Sequence, residues 1–78
     1  MVIKAYALLE TEAAITQESV EEVRRVEGVK AAEPVTGPFD VVVTIEVNTI
    51  EDMASVLRQI RSASGVTKTT TLIKLKQS

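Results

Sequence analysis

Seventy-eight residues with no cysteine and no histidine fit one domain, residues 1–78, and exclude disulfides, ordinary zinc sites and histidine-based catalysis. A net charge of -2, from 9 basic and 11 acidic residues, is not a nucleic-acid footprint, and one Tyr and one Phe leave little to stack on bases. A chain this short is marginal alone unless stapled or oligomeric, so assembly is the expected staple.

The N-terminus, Met-Val-Ile-Lys-Ala-Tyr, lacks a signal peptide's charged start and long apolar core. No apolar run approaches membrane-spanning length. The chain therefore reads as soluble and cytoplasmic, with no membrane or direct nucleic-acid partner, and no residue pattern calls for a metal or cofactor.

Val2 to Glu10 reads as a first strand. Ile3, Ala5, Ala7 and Leu9 share one face; Val2, Lys4, Tyr6, Leu8 and Glu10 share the other, which is too apolar to be left fully solvated. Thr11 to Ile15 is a connection. Thr16 is a candidate N-cap, with Ile15 and Val20 as a hydrophobic staple, and Ser19-Val20-Glu21-Glu22 is a rival capping box. Val20, Val23 and Val26 form the buried stripe of the helix, and Gly28 suits the position just past its end.

Val29 to Val35 is a weaker strand, because Pro34 cannot donate to a ladder and points to an edge or a strand end. Thr36-Gly37-Pro38 then supplies turn chemistry. Phe39, Val41, Val43, Ile45 and Val47 alternate with Asp40, Thr44 and Glu46 on the opposite face, the mark of a half-buried strand. Asn48-Thr49 opens a second helix, with Thr49 as cap and Ile50, Met53, Val56, Leu57 and Ile60 as its apolar stripe. Gly65 repeats the role of Gly28, and Val66 to Lys76 forms a fourth strand.

The halves of the chain match. Val23-x-x-Val26-x-Gly28-Val29 aligns with Ile60-x-x-Ala63-x-Gly65-Val66, and the first strand aligns with the third at the same offset. Two β-α-β units in tandem specify an α+β, ferredoxin-like βαββαβ fold with a four-stranded antiparallel sheet. Both helices then cover one face of the sheet. The other face carries Val2, Tyr6, Leu8, Val42 and Thr44, and a second copy packed sheet to sheet, as a dimeric α/β barrel, is the simple cover.

The chain resembles the effector-binding (RAM) domain of the Lrp/AsnC transcription regulators. The resemblance is carried by Val29-x-x-Ala32, by Gly37-Pro38-Phe39-Asp40-Val41-Val42-Val43, and by Ile60-Arg61-Ser62-x-x-Gly65-Val66-x-x-Thr69-x-Thr71. With the first strand starting at residue 2, it resembles the stand-alone form without the helix-turn-helix domain. The resemblance implies dimers associating into octamers or decamers, with a free amino acid or related metabolite bound at dimer-dimer contacts. Gly37, Phe39 and Asp40 at the turn, with Thr69 and Thr71 on the last strand, are the implied ligand contacts. Co-assembly with full-length Lrp/AsnC regulators is the implied route to transcription.

Each feature also has a plainer reading. Asp40 is equally a turn former, and a threonine run such as Thr67 to Thr71 commonly marks a strand half in water. Lys68, Lys74 and Lys76 read as edge lysines that discourage aggregation, and Arg24, Arg25, Arg58 and Arg61 as solvated helix faces. A small dimeric α/β-barrel enzyme acting on a hydrophobic metabolite is an alternative, with its pocket between helices and sheet. It lacks a visible catalytic set: Asp40 and Glu46 share a strand face but stand about 20 Å apart at strand rise. An ACT-like amino-acid-binding module is the third reading; its side-by-side dimers would leave the second sheet face uncovered.

Overall fold

The alternation in Val41–Val47 becomes an inner strand whose odd-numbered side chains are buried, as its β-branched pattern requires. The structure, a computed structural model, describes residues 2–75. Its elements run β1 (Ile3–Thr11), a 3-10 turn (Ala13–Ile15), α1 (Thr16–Arg24), β2 (Val29–Pro34), β3 (Val41–Val47), α2 (Ile50–Arg61) and β4 (Val66–Ile73). The sheet order is β2-β3-β1-β4 and each neighbouring pair is antiparallel. This is the ferredoxin-like βαββαβ arrangement expected from the tandem repeat.

Register sorts the residues by face. Ala7 lies opposite Val43 and Thr71, while Leu8 lies opposite Val42 and Thr70, and Tyr6 opposite Thr44 and Leu72. The odd-numbered face receives both helices: Ala5, Ala7, Leu9, Val41, Val43 and Ile45 form one cluster with Val20, Val23, Met53, Val56 and Ile60. Small alanines in the middle of β1 let the helices sit close to the sheet, and β-branched residues from β3 fill the layer.

Local chemistry fixes the helix ends. Thr49 is extended and accepts from Asp52 N–H at 3.0 Å, as its place before the apolar stripe predicts. Gly28 and Gly65 follow the two helices at φ +102° and +82°. A Cβ on Gly65 would lie 2.6 Å from Ile15 Cδ1 and from Ser19 Oγ, so this glycine serves close packing as well as the turn.

Several details differ from the sequence reading. Thr16 is the first residue of α1 rather than its cap; Ile15 holds the cap position without a side-chain bond, because Ala13–Ile15 already winds as a 3-10 turn. The rival cap, Ser19, lies inside the helix, fully buried, with its hydroxyl against the carbonyls of Ile15 and Ser64. Ile50 is 69% exposed and stands outside the α2 stripe. β1 is shifted by one residue, β2 stops at Pro34, and β4 stops at Ile73; Lys76 lies outside the described residues.

Candidate functional site

The turn between β2 and β3 is built on backbone bonds. Val35 N–H donates to the Asp40 carbonyl at 2.9 Å, and Asp40 N–H donates to the Leu9 carbonyl at 2.8 Å. The Asp40 carboxylate accepts from Thr11 N–H at 2.8 Å through Oδ2. Asp40 therefore ties the turn to the end of β1, where the β1–β4 ladder shifts register at Glu10 and Thr11. The plainer role of Asp40, holding a turn, is thus seen directly.

That role leaves chemistry spare. An ionised carboxylate offers about four lone-pair sites, and one backbone N–H occupies one of them. Thr36, Gly37 and Pro38 are exposed, Phe39 and Asp40 are half-buried, and the space beside Gly37, at φ +132°, is open. The arrangement can accept a further donor, such as an ammonium group, from outside the chain. Asp40 N–H and Val35 N–H, however, are already used by the fold.

Thr69 and Thr71 stand on the helix-covered face of β4. Thr69 lies opposite Leu9, which in turn lies opposite Val41, so two strand spacings, about 10 Å, separate Thr69 from the start of β3. The turn and the threonines share one end of the sheet, with β1 between them. Within one chain they do not meet. Thr69 Oγ1 is buried and has no hydrogen-bond partner among the described residues.

Three residues take roles at this end that the sequence reading did not assign to them. Thr11 supplies its N–H to Asp40 and its hydroxyl to Thr16, with the two Oγ1 atoms 2.7 Å apart. Thr67 Oγ1 donates to the Glu10 carbonyl at 3.1 Å where β4 bulges. Buried Ser19 is the third. A run of threonines reads as regular strand, so nothing in the sequence marked the bulge.

The even-numbered sheet face is open. Val2 is 55% exposed, Tyr6 36% and Leu72 51%, with Leu8, Val42 and Thr44 half-buried beside them. Lys4 and Glu46 pair at its end at 3.8 Å. Elsewhere a groove between the helices is lined by Glu22, Arg25, Val26, Arg58, Gln59 and Ser62. Among the described residues, no group of three or more His, Cys, Asp or Glu side chains could hold a metal ion, and no helix is long and apolar enough to cross a membrane.

The family model for the Lrp/AsnC ligand binding domain matches residues 4–78. The chain belongs to that family. Among solved structures, TTHA0845 from Thermus thermophilus is 27% identical, with a TM-score of 0.90 over 97% of this chain and 96% of that one. AsnC from E. coli is 18% identical at a TM-score of 0.87, over 96% of this chain and 52% of AsnC. The feast or famine regulatory protein Rv3291c from M. tuberculosis, solved with L-methionine, is 18% identical at 0.79, over 96% of this chain and 51% of its own. This Lrp/AsnC domain thus spans about half the length of those two regulators, and at that identity the likeness to them is one of fold. No curated protein matches the sequence.

Proposed function

We propose that this Lrp/AsnC domain is an amino-acid-sensing and assembly module. The observation that carries the reading is the match to a ligand binding domain across residues 4–78. The L-methionine complex of Rv3291c, which shares the fold, suggests the ligand class. The chain pairs sheet to sheet through Val2, Tyr6, Leu8, Val42 and Thr44, and these dimers associate into octamers or decamers. The ligand sits at dimer-dimer contacts, with Asp40 receiving its ammonium group beside Gly37 and Phe39, and with Thr69 and Thr71 contributed by a neighbouring chain. Their separation across β1 within one chain favours a composite site.

Ligand then stabilises whichever assembly completes the pocket, which links sensing to assembly. Co-assembly with other Lrp/AsnC regulators carries the signal onward, in the cytoplasm. The role is binding rather than catalysis: the layer between helices and sheet, where a small barrel enzyme would hold its substrate, is filled by Leu9, Val20, Val23, Ile45 and Ile60, all at 0% exposure.

The test is calorimetry with L-methionine and the other common amino acids on the parent and on Asp40→Asn. Asparagine keeps an acceptor for Thr11 N–H and removes the charge, so the fold is expected to persist while binding is lost. Unchanged affinity in Asp40→Asn removes Asp40 from the site.

A further inference from the structure

The two edges of the sheet are finished differently. In β3, the Glu46 N–H bond to the Gly28 carbonyl turns the even-numbered residues toward β2. Thr44 and Val42 therefore bond Ala31 and Glu33, and the outward groups on β2 belong to Ala32 and Pro34. Pro34 has no N–H. Arg24 Nε donates to the Ala32 carbonyl at 3.0 Å. A register shift between Val29 and Ala31 irregularises the rest. A proline, a bulge and a covering cation are devices by which natural edges refuse another strand.

From Lys68 to Ile73 β4 carries neither proline nor bulge. Arg61 of α2 lines a hollow with Val66, Thr67, Lys68 and Thr69 at the start of β4. Among the described residues, no bond from that guanidinium to an outward carbonyl is found, as Arg24 makes on β2. Lys74 N–H bonds the Lys4 carbonyl at 2.9 Å, and alternation then turns Leu72, Thr70 and Lys68 toward β1. Thr69, Thr71 and Ile73 present their N–H and C=O groups outward. The run keeps one register with β1 and is rich in β-branched residues, and its one irregularity lies below it, at Thr67. Lys68 and Lys74, being even-numbered, lie on the open sheet face and do not block the edge.

We infer that β4 is a strand-pairing edge whose occupant is β4 of a second copy, antiparallel about a two-fold axis at Thr70. The sequence of the edge selects this partner and this register. Outward groups meet outward groups for any axis that falls on a residue, and those nearest the middle of the regular run are Thr69, Thr70 and Thr71. An axis at Thr71 sets Lys68 against Lys74 of the second copy, a like-charge pair. An axis at Thr69 brings the bulged Thr67 into the ladder. The axis at Thr70 pairs the regular run Lys68 to Leu72 with itself: Lys68 meets Leu72, and Thr69 meets Thr71. Cross-strand threonines bond through their hydroxyls, and rotation about χ1 gives the unpartnered Thr69 Oγ1 that bond. The lysines then fix the register of a pairing edge instead of guarding it.

This inference goes beyond the proposed function and does not depend on it. The edge and the open face are separate surfaces, and two isologous contacts with different axes link chains into larger assemblies.

Two experiments on the full chain test it. Thr71→Pro removes an outward N–H and leaves the ladder to β1 intact. Sedimentation at fixed protomer concentration is expected to give a smaller species than the parent, with an unchanged circular dichroism spectrum. In a chain without cysteine, Thr69→Cys and Thr71→Cys proteins are also mixed and mildly oxidised. These side chains face the helices, so sheet-to-sheet contact cannot join them. The mixture is expected to cross-link several-fold faster than either protein alone. A parent-like mass for Thr71→Pro overturns the inference. So does an uncross-linked mixture, the result if the edge receives an extended peptide of another protein, or Thr71→Cys cross-linking as fast alone as mixed.

Discussion

The two faces of the sheet draw on the same strands and end in opposite conditions. On the odd-numbered face, Ala5, Ala7, Leu9, Val41, Val43 and Ile45 are wholly buried beneath two helices of the same chain. On the even-numbered face, Tyr6, Leu8, Val42, Thr44 and Leu72 have no covering element among the described residues, and Leu72 is 51% exposed. One chain completes the first face and leaves the second unfinished. Substitutions on the covered face should therefore change folding, and those on the open face should change assembly.

The largest effect is expected under the helices. Ile45→Ala removes a fully buried side chain at the centre of the layer and is expected to cost about 2–5 kcal/mol in urea unfolding. For a domain of this size that is a large share of the total stability. Gly65→Ala tests the boundary of the same layer. Its Cβ would press on Ile15 and Ser19 at φ +82°, and a loss of about 1–3 kcal/mol is expected by the same assay.

Across the sheet the readout changes. Tyr6→Glu places a charge on the open face opposite Thr44 and Leu72. The expected outcome is a shift to smaller species in sedimentation, with an unchanged far-ultraviolet spectrum. A Tyr6→Glu protein that sediments like the parent refutes sheet-to-sheet pairing. The smallest change in stability is expected for Asp40→Asn, within about 1 kcal/mol, because the acceptor for Thr11 N–H survives.

The faces were legible in the sequence because strand periodicity is strict. Once Ala5, Ala7 and Leu9 alternate with Lys4, Tyr6 and Leu8, both the buried face and the incomplete one follow. The capped start of α2 was legible because its cap is a residue type with a local physical role. Gly28 and Gly65 take the expected positive φ, but in the turns that open β2 and β4 rather than just past the helix ends, since α1 stops at Arg24 and α2 at Arg61. The start of α1 was not, because Thr16 and Ser19 both suit a cap while a preceding 3-10 turn decided the boundary. Nor was the site. The Asp40 bond to Thr11 joins residues 29 positions apart, and the bulge at Thr67 sits in a run that reads as uniform strand. Contacts of this kind depend on which strands become neighbours, and local pattern does not specify them.

The most direct test of the sensing account is a thermal-shift screen of the common amino acids at fixed protomer concentration, on the parent and on Asp40→Asn. The account predicts that one or a few amino acids raise the parent's midpoint in proportion to dose and leave Asp40→Asn unmoved. An assembled parent whose midpoint no amino acid moves contradicts it.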